Sequence, residues 1–134
     1  MAKIDEIEGI GPAYAEKLAS AGVTSVEKLL EAGKSSKGRA ELAEKTGLDA
    51  KSILKWVNHA DLMRINGVGP QFAELLEASG VDTVPELAQR NAANLAAKME
   101  EVNAAKNLAN RVPSETEVTK WVEEAKALGR TVEY

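Results

Sequence analysis

An internal repeat constrains the fold of this chain more than any other feature. Residues 7–29 read IEGIGPAYAEKLASAGVTSVEKL and residues 65–87 read INGVGPQFAELLEASGVDTVPEL, so 11 of the 23 positions are identical at an offset of 65 − 7 = 58 residues. Most of the remaining pairs are conservative, such as Ile10 with Val68. A repeat of this length indicates a duplicated structural unit.

The later part of each copy repeats at a different offset. Apolar residues spaced three, one and three apart recur 65 residues further along the chain: Ile53, Trp56, Val57 and Ala60 correspond to Val118, Trp121, Val122 and Ala125. This spacing is typical of one helix face. The second copy has therefore gained 65 − 58 = 7 residues, close to two helical turns, and we expect one longer helix over residues 92–110, with Leu95, Met99, Val102 and Ala109 on its buried face. The predicted units are residues 1–62 and 63–134.

Local signals predict an all-α fold, with two tandem units of about four to five short helices each. In each copy a short helix, residues 4–8 or 61–66, precedes Gly-x-Gly-Pro, which is typical of a tight turn that leads into a second helix. Gly22 and Gly80 are expected to end that helix in the left-handed conformation.

Further helix starts follow from capping residues. Two pairs have capping-box spacing, Thr24 with Glu27 and Thr83 with Glu86, and each predicts a third short helix. Residues 33–38 predict a flexible polar loop, with helix resuming over 39–45. Two further N-caps are expected, at Asp49 and Ser114.

The composition argues against several function classes. The chain has no cysteine, and its one histidine, His59, has no second histidine at metal-ligand spacing. No nucleophile motif, phosphate loop or paired-carboxylate pattern is present, so we predict a non-enzymatic protein without cofactor, catalytic residue or metal site. No run reaches the roughly 18 apolar residues of a membrane span, and the amino terminus lacks the apolar stretch of a signal peptide, so we expect a cytoplasmic location.

The glycine pattern carries a resemblance to a known motif. Ile7-Glu8-Gly9-Ile10-Gly11, with Ala15 and Leu18, resembles a helix-hairpin-helix, and Ile65, Gly67, Val68, Gly69, Ala73 and Leu76 repeat it. Residues 21–29 are similar to the acidic repeats of a bacterial transcription elongation factor and to the carboxy-terminal domain of the RNA polymerase alpha subunit. Residues 41–48 are similar to the amino-terminal domain of archaeal recombinases. As a whole, the chain resembles an uncharacterised bacterial family, DUF4332, with two such units in tandem.

The resemblance implies contact with the phosphates of DNA or RNA, without reading of the bases. Helix-hairpin-helix turns offer backbone N–H groups at a helix amino terminus, where the positive end of the helix dipole favours anions. Carried over by position, the donors are Gly9, Ile10, Gly11, Gly67, Val68 and Gly69. The cations expected near the phosphates are Lys3, Lys17 and Arg64. However, Pro12-Ala13-Tyr14 and Pro70-Gln71-Phe72 follow the glycines, and no cation stands there.

Two other interpretations stay open. The glycines can serve the turn alone, or the chain can be a protein-protein interaction adaptor or self-associating scaffold with an acidic surface. The first predicted unit has 9 basic and 10 acidic residues, a net charge of 9 − 10 = −1, and the second has 8 − 11 = −3. The acidic balance weakens the nucleic-acid interpretation. The oligomeric state also stays open.

Other candidate features have structural interpretations beside the functional ones. The one local basic cluster, Lys34, Lys37 and Arg39, is predicted to be a solvated loop, with contact to nucleic acid or to an acidic partner as the alternative. The aromatic residues Trp56, Trp121, Tyr14 and Phe72 are predicted to lie in the core, although the tryptophans are also of the type that stacks on bases.

Overall fold

Short helices joined by tight turns make up the structure, a computed structural model that describes residues 3–134. The described residues contain eight α-helices and no strand, which confirms the predicted all-α class. A 3₁₀ turn at Ile4–Glu6 precedes α1 (Pro12–Ser20), α2 (Val26–Gly33), α3 (Ser36–Thr46), α4 (Ala50–Leu62), α5 (Pro70–Ala78), α6 (Val84–Ala88), α7 (Ala92–Lys106) and α8 (Glu115–Leu128).

Packing divides the chain into two compact units. Unit 1 contains the chain up to Asp61 together with Thr131–Tyr134, and unit 2 contains Leu62–Arg130. This division differs from the predicted ranges in its last four residues, which belong to unit 1. Val132 is buried, and the Glu133 backbone N–H donates a hydrogen bond to the Lys34 carbonyl at 2.7 Å.

Most of the helices other than α1 and α5 begin with a side-chain cap. The side chains of Ser25, Ser35, Asn91 and Ser114 accept backbone N–H bonds at the starts of α2, α3, α7 and α8, and Ser114 forms a full capping box with Glu117. The predicted capping box at Thr24 is wrong by one residue, because Ser25 is the N-cap. In the second copy, the Thr83 hydroxyl donates a hydrogen bond to the Glu86 carboxylate, and it accepts no hydrogen bond from the backbone of α6.

Several predicted boundaries are also wrong. Residues 33–38 contain no flexible loop, because α2 reaches Gly33 and α3 begins at Ser36. Residues 61–66 form no separate helix, since α4 runs on to Leu62 and turns follow. The helix predicted to reach residue 110 ends at Lys106, where Asn107 takes a left-handed φ of 51°. The predicted helix ends were correct at Gly22 and Gly80, which have φ values of +86° and +96°.

Each unit has a core of its own, made mainly of aliphatic side chains. The two predicted helix faces are buried, with Ile53, Trp56, Val57 and Ala60 in unit 1 and Val118, Trp121, Val122 and Ala125 in unit 2. The longer helix α7 contributes Leu95, Met99 and Val102 to the core of unit 2, as predicted. Ala109 is buried as well, but it lies in the loop after α7. None of the helices in the described part of the chain combines the length and the apolar character that a membrane span requires.

Candidate functional site: two glycine turns

The repeated glycines form the same backbone turn in both units. We call residues 7–11 the first glycine turn and residues 65–69 the second. In the first, the Ile10 N–H donates to the Ile7 carbonyl at 3.1 Å, and in the second the Val68 N–H donates to the Ile65 carbonyl at 3.1 Å. Gly9 and Gly67 share a φ of +92°, a conformation that glycine adopts without steric cost.

A tryptophan lies directly against each turn. A Cβ on Gly9 would stand 3.4 Å from Nε1 of Trp56, and a Cβ on Gly67 would stand 3.1 Å from Nε1 of Trp121. Both tryptophans are buried, which confirms their predicted place in the core. The positive φ therefore favours glycine at both positions, and the close indole ring adds a second constraint at Gly67.

The aromatic residue that follows each turn packs on that tryptophan. The Tyr14 and Trp56 ring centroids are 5.4 Å apart, and those of Phe72 and Trp121 are 5.3 Å apart. The prediction that Tyr14 lies in the core is wrong, because it is 43% exposed, and Phe72 is only half-buried. Both rings lie at the start of a helix, where one face contacts the tryptophan and the rest reaches solvent.

Each turn leads into the amino end of a helix, where some backbone N–H groups have no hydrogen-bond acceptor within residues 3–134. We call these groups open amides. The N-caps of α1 and α5 are Gly11 and Gly69, which have no side chain, and the first bonds of these helices come from the Ala15 and Ala73 amides. The amides before them lack intrahelical acceptors. Among the described residues, no acceptor faces the amides of residues 13, 14, 71 and 72.

The predicted donors divide into two groups. The amides of Ile10 and Val68 already donate within their turns, and both side chains are buried, so these residues hold the turn against the core. Gly9, Gly11, Gly67 and Gly69 lie at the surface or partly exposed. Sequence reasoning missed the amides of residues 13, 14, 71 and 72. The prolines were the available signal, because a proline at the first helical position leaves the next two amides as the helix's open donors.

The three predicted cations lie in different surroundings. Lys17 is exposed in the last turn of α1, about 7.5 Å of helical rise from Pro12. The Arg64 guanidinium donates to the Gly129 carbonyl at 2.7 Å, beyond the end of α8. Lys3 forms an isolated backbone bridge with Ser25.

A cation that the sequence did not suggest lies beside the second turn. Arg111 comes from the segment between α7 and α8, and its guanidinium carbon is 5.1 Å from the centre of the Phe72 ring. Its two terminal nitrogens donate to both carboxylate oxygens of Glu117 at 2.8 Å. The hydrogen bonds from Arg111, and then the Ser114 backbone N–H, lower the pKa of Glu117 to about 2, while Glu117 raises the pKa of Arg111.

Arg111 and the second turn enclose a shared cleft of about 390 Å³. The lining residues are Gly67, Gly69, Pro70, Gln71, Phe72, Asn110 and Arg111. The Asn110 N–H donates to the Gln71 side-chain oxygen at 3.1 Å, which ties the inserted segment to the start of α5. Open amides and a guanidinium around one cleft are a chemistry that suits an anion.

The other predicted features have structural roles. The Arg39 side chain is buried and donates to the carbonyls of Gly33, Lys34 and Glu133 at 2.9, 3.2 and 2.6 Å, so the basic cluster is not a solvated loop. His59 is fully buried within α4. Within residues 3–134, no three potential metal ligands lie close enough together to hold an ion.

Comparison with known proteins identifies a family. The family model described as a domain of unknown function, DUF4332, matches residues 8–128, which is most of the chain. No curated protein and no solved structure matches the chain.

Proposed function

The chain belongs to the family of the domain of unknown function DUF4332, and from its own surfaces we propose that it is a non-enzymatic module that binds the phosphate backbone of nucleic acid. In this proposal the two glycine turns are helix-hairpin-helix motifs. Each turn presents backbone amides to a phosphate, and the binding is weak and independent of base sequence.

One contrast carries the proposal. The helices α2, α3, α7 and α8 have their amino ends closed by a serine or asparagine side chain. The amino ends of α1 and α5 are capped by glycine and stay open, and the repeat places them at equivalent positions. Open amides at a helix amino terminus favour anions, because unpaired N–H donors and the positive end of the helix dipole coincide there.

The charges around the turns set the expected strength. Glu6 and Glu16 are exposed near the first turn, and Glu8 is partly exposed. These carboxylates repel phosphate, so we expect low affinity that weakens steeply as salt screens the remaining attraction.

Substitutions that give the open amides an acceptor from the chain itself test the proposal. In the double variant Gly11→Asp and Gly69→Asp, each new carboxylate caps its own helix and repels phosphate. Gly11 and Gly69 have extended backbone, and a Cβ on either meets no atom within 4 Å, so the fold tolerates the change. Aspartate is also a good N-cap, so the variant should be at least as stable as the wild type.

The measurement is fluorescence anisotropy of a labelled oligonucleotide, single-stranded and duplex, from about 50 to 200 mM salt. We expect the wild type to bind and the aspartate variant to lose binding while it stays folded. The control variant Ala40→Asp with Ala97→Asp adds the same two charges at exposed positions on α3 and α7 and should still bind. Absence of wild-type binding near 50 mM salt contradicts the proposal.

One observation favours a second function, a protein-protein interaction through unit 1. Tyr14 is a large exposed aromatic residue beside the exposed acids Glu6 and Glu16. Exposed tyrosine is enriched at protein interfaces. Light scattering at several concentrations tests self-association: Tyr14→Ala should abolish any association that the wild type shows, whereas the aspartate variant of the turns should leave it intact.

A further inference from the structure

The two turns differ most in what lies next to them. Unit 2 has Arg111, supplied by the segment in which the second copy is seven residues longer (65 − 58 = 7). In unit 1 the corresponding connection between α3 and α4 is short, residues 47–49, and contains no cation. The open amides are common to both units, but the guanidinium beside them belongs to unit 2.

We propose that the cleft of unit 2 is the dominant phosphate subsite, in which Arg111 exchanges the carboxylate of Glu117 for a phosphate of the nucleic-acid strand. This inference rests on the proposed function and deepens it. It assigns the main phosphate contact to unit 2. In the absence of nucleic acid, the Glu117 carboxylate occupies Arg111 and so competes with the phosphate.

The cleft brings two kinds of donor together, and a third lies next to Gly67 in its lining. Gly69 and Gln71, which line it, belong to the open amino end of α5, and Arg111 is also a lining residue. The third is the indole N–H of Trp121, a residue only 3% exposed. Its Nε1 lies 3.1 Å from the point where a Cβ on Gly67 would stand, and it has no acceptor among residues 3–134.

Stacking holds the Arg111 guanidinium at the cleft. Its carbon is 5.1 Å from the Phe72 centroid, and Phe72 packs on Trp121, so the cation sits on an aromatic pair that belongs to the core. A cation over an aromatic face gains an attraction that does not depend on Glu117. Arg111 therefore stays near the open amides when its carboxylate partner leaves.

The pair between Arg111 and Glu117 is suited to exchange. The two side chains are 62% and 34% exposed, and ion pairs at the surface contribute little to stability. A backbone phosphate offers the same bidentate acceptor geometry and the same single negative charge. Glu117 keeps a second role after the exchange, because its carboxylate also accepts the Ser114 backbone N–H in the capping box of α8.

Two substitutions with opposite expected effects test the exchange. Glu117→Gln keeps a side-chain oxygen for the capping box and removes the competing charge, so oligonucleotide affinity should rise several-fold. Arg111→Gln should lower the affinity several-fold and reduce the slope of log affinity against log salt by about one. The matched controls are Glu101→Gln and Lys98→Gln, the partners of an exposed ion pair on α7, which should leave both quantities unchanged apart from a small general charge effect.

A titration of ¹⁵N-labelled protein with inorganic phosphate locates the subsite independently of nucleic acid. We expect the largest shifts at the amides of Gln71 and Phe72 and at the Trp121 indole N–H, with smaller shifts at residues 13 and 14. Equal shifts in both units, or an Arg111→Gln variant that binds oligonucleotide like Lys98→Gln, overturn this inference and leave the proposed function standing. Shifts in the cleft without any oligonucleotide binding contradict the proposed function and leave the anion subsite standing.

Discussion

Units 1 and 2 repeat one turn but use their arginines in opposite ways. In unit 1, Arg39 is buried and binds three backbone carbonyls, one of them in the last four residues of the chain. In unit 2, Arg111 is exposed, stacks on Phe72 and binds a single carboxylate. A duplicated backbone has thus acquired one cation that serves the fold and one that a ligand can reach.

This difference shows which parts of a repeat carry information about function. The glycine, the tryptophan against it and the aromatic residue on that tryptophan are common to both units, and they specify the turn. The two arginines lie outside the repeated segment, Arg111 in the longer connection of unit 2 and Arg39 in α3 of unit 1. Predictions of binding therefore have to compare the two units.

The largest expected effect is on the arginine of unit 1. Arg39→Ala should lower the free energy of unfolding of unit 1 by about 3 kcal/mol, because hydrogen bonds to a buried charged group contribute about 1.5–3 kcal/mol each and carbonyls lose their partner. Arg111→Ala should lower the stability of unit 2 much less, since its ion pair is exposed.

The two tryptophans allow the units to be followed separately. Trp56 lies in unit 1 and Trp121 in unit 2, so a Trp121→Phe background reports unit 1 by fluorescence, and a Trp56→Phe background reports unit 2. Urea denaturation in these backgrounds measures both arginine variants. If Arg39→Ala is no more destabilising than Arg111→Ala, the contrast between a structural and an accessible arginine is wrong.

Local sequence signals predicted the parts of the fold that depend on neighbouring residues. Gly22 and Gly80 end their helices because glycine takes the left-handed conformation easily, and Ser114 starts α8 because serine accepts the first amides. The end of α7 was predicted at residue 110, four residues too late. Asn107 turns the chain earlier, and the Asn103 side chain exchanges two hydrogen bonds with the backbone of Ala109.

The candidate site was only partly predictable. The glycines and their open helix ends follow from the Gly-x-Gly-Pro pattern, but Arg111 lies 42 residues after Gly69 (111 − 69) and reaches the cleft through tertiary packing. Arg39 and Glu133 are 94 residues apart in sequence, and no periodicity relates them. Contacts of this kind depend on how the elements pack, which a single sequence does not encode in any local pattern.

The next largest effect sharpens the comparison between the glycines of the two turns. Gly67→Ala should destabilise unit 2 by about 2 kcal/mol, since a left-handed conformation costs a residue with a Cβ roughly 1–2 kcal/mol and the new carbon also crowds the Trp121 indole. Gly9→Ala should cost somewhat less, because its Cβ would be 3.4 Å from the indole nitrogen and not 3.1 Å.

Gly22→Ala separates the cost of the left-handed conformation from the cost of crowding the indole ring. Gly22 has a φ of +86°, but a Cβ there meets no atom within 4 Å, so this variant measures the conformational cost alone. Urea denaturation should rank the losses Gly67→Ala, then Gly9→Ala, then Gly22→Ala. Equal losses at all three positions contradict the claim that the tryptophans restrict the turns.

A charge swap between the turns has a smaller expected effect, on binding. Unit 1 has Glu8 where unit 2 has Asn66, at the same offset of 58 residues (66 − 8). Asn66→Glu adds a carboxylate beside the cleft, close to Glu124, which already accepts the Asn66 backbone N–H at 3.1 Å. We expect oligonucleotide affinity to fall several-fold, and to rise less than that with Glu8→Asn. Anisotropy at low salt measures both, and a larger effect at Glu8 contradicts the dominance of unit 2.

The smallest effect concerns the pH dependence of the two units. The Arg111 side chain and the Ser114 backbone N–H hold the pKa of Glu117 at about 2, below its ordinary value of 4.5. A lowered pKa in the folded state means that the contribution of Glu117 to stability is present above pH 4.5 and is lost as the pH falls towards 2. The stability difference between the wild type and Glu117→Gln, followed by Trp121 fluorescence during urea unfolding, should therefore shrink over this range.

Unit 1 provides the internal reference for that measurement. Glu117 belongs to unit 2, so Glu117→Gln leaves every titrating residue of unit 1 in place. The Trp56 signal should consequently show the same stability in the wild type and in Glu117→Gln at every pH. A difference that stays constant down to pH 2 in unit 2 would mean that the charge of Glu117 contributes nothing to stability. Arg111 would then be free for an anion without any exchange.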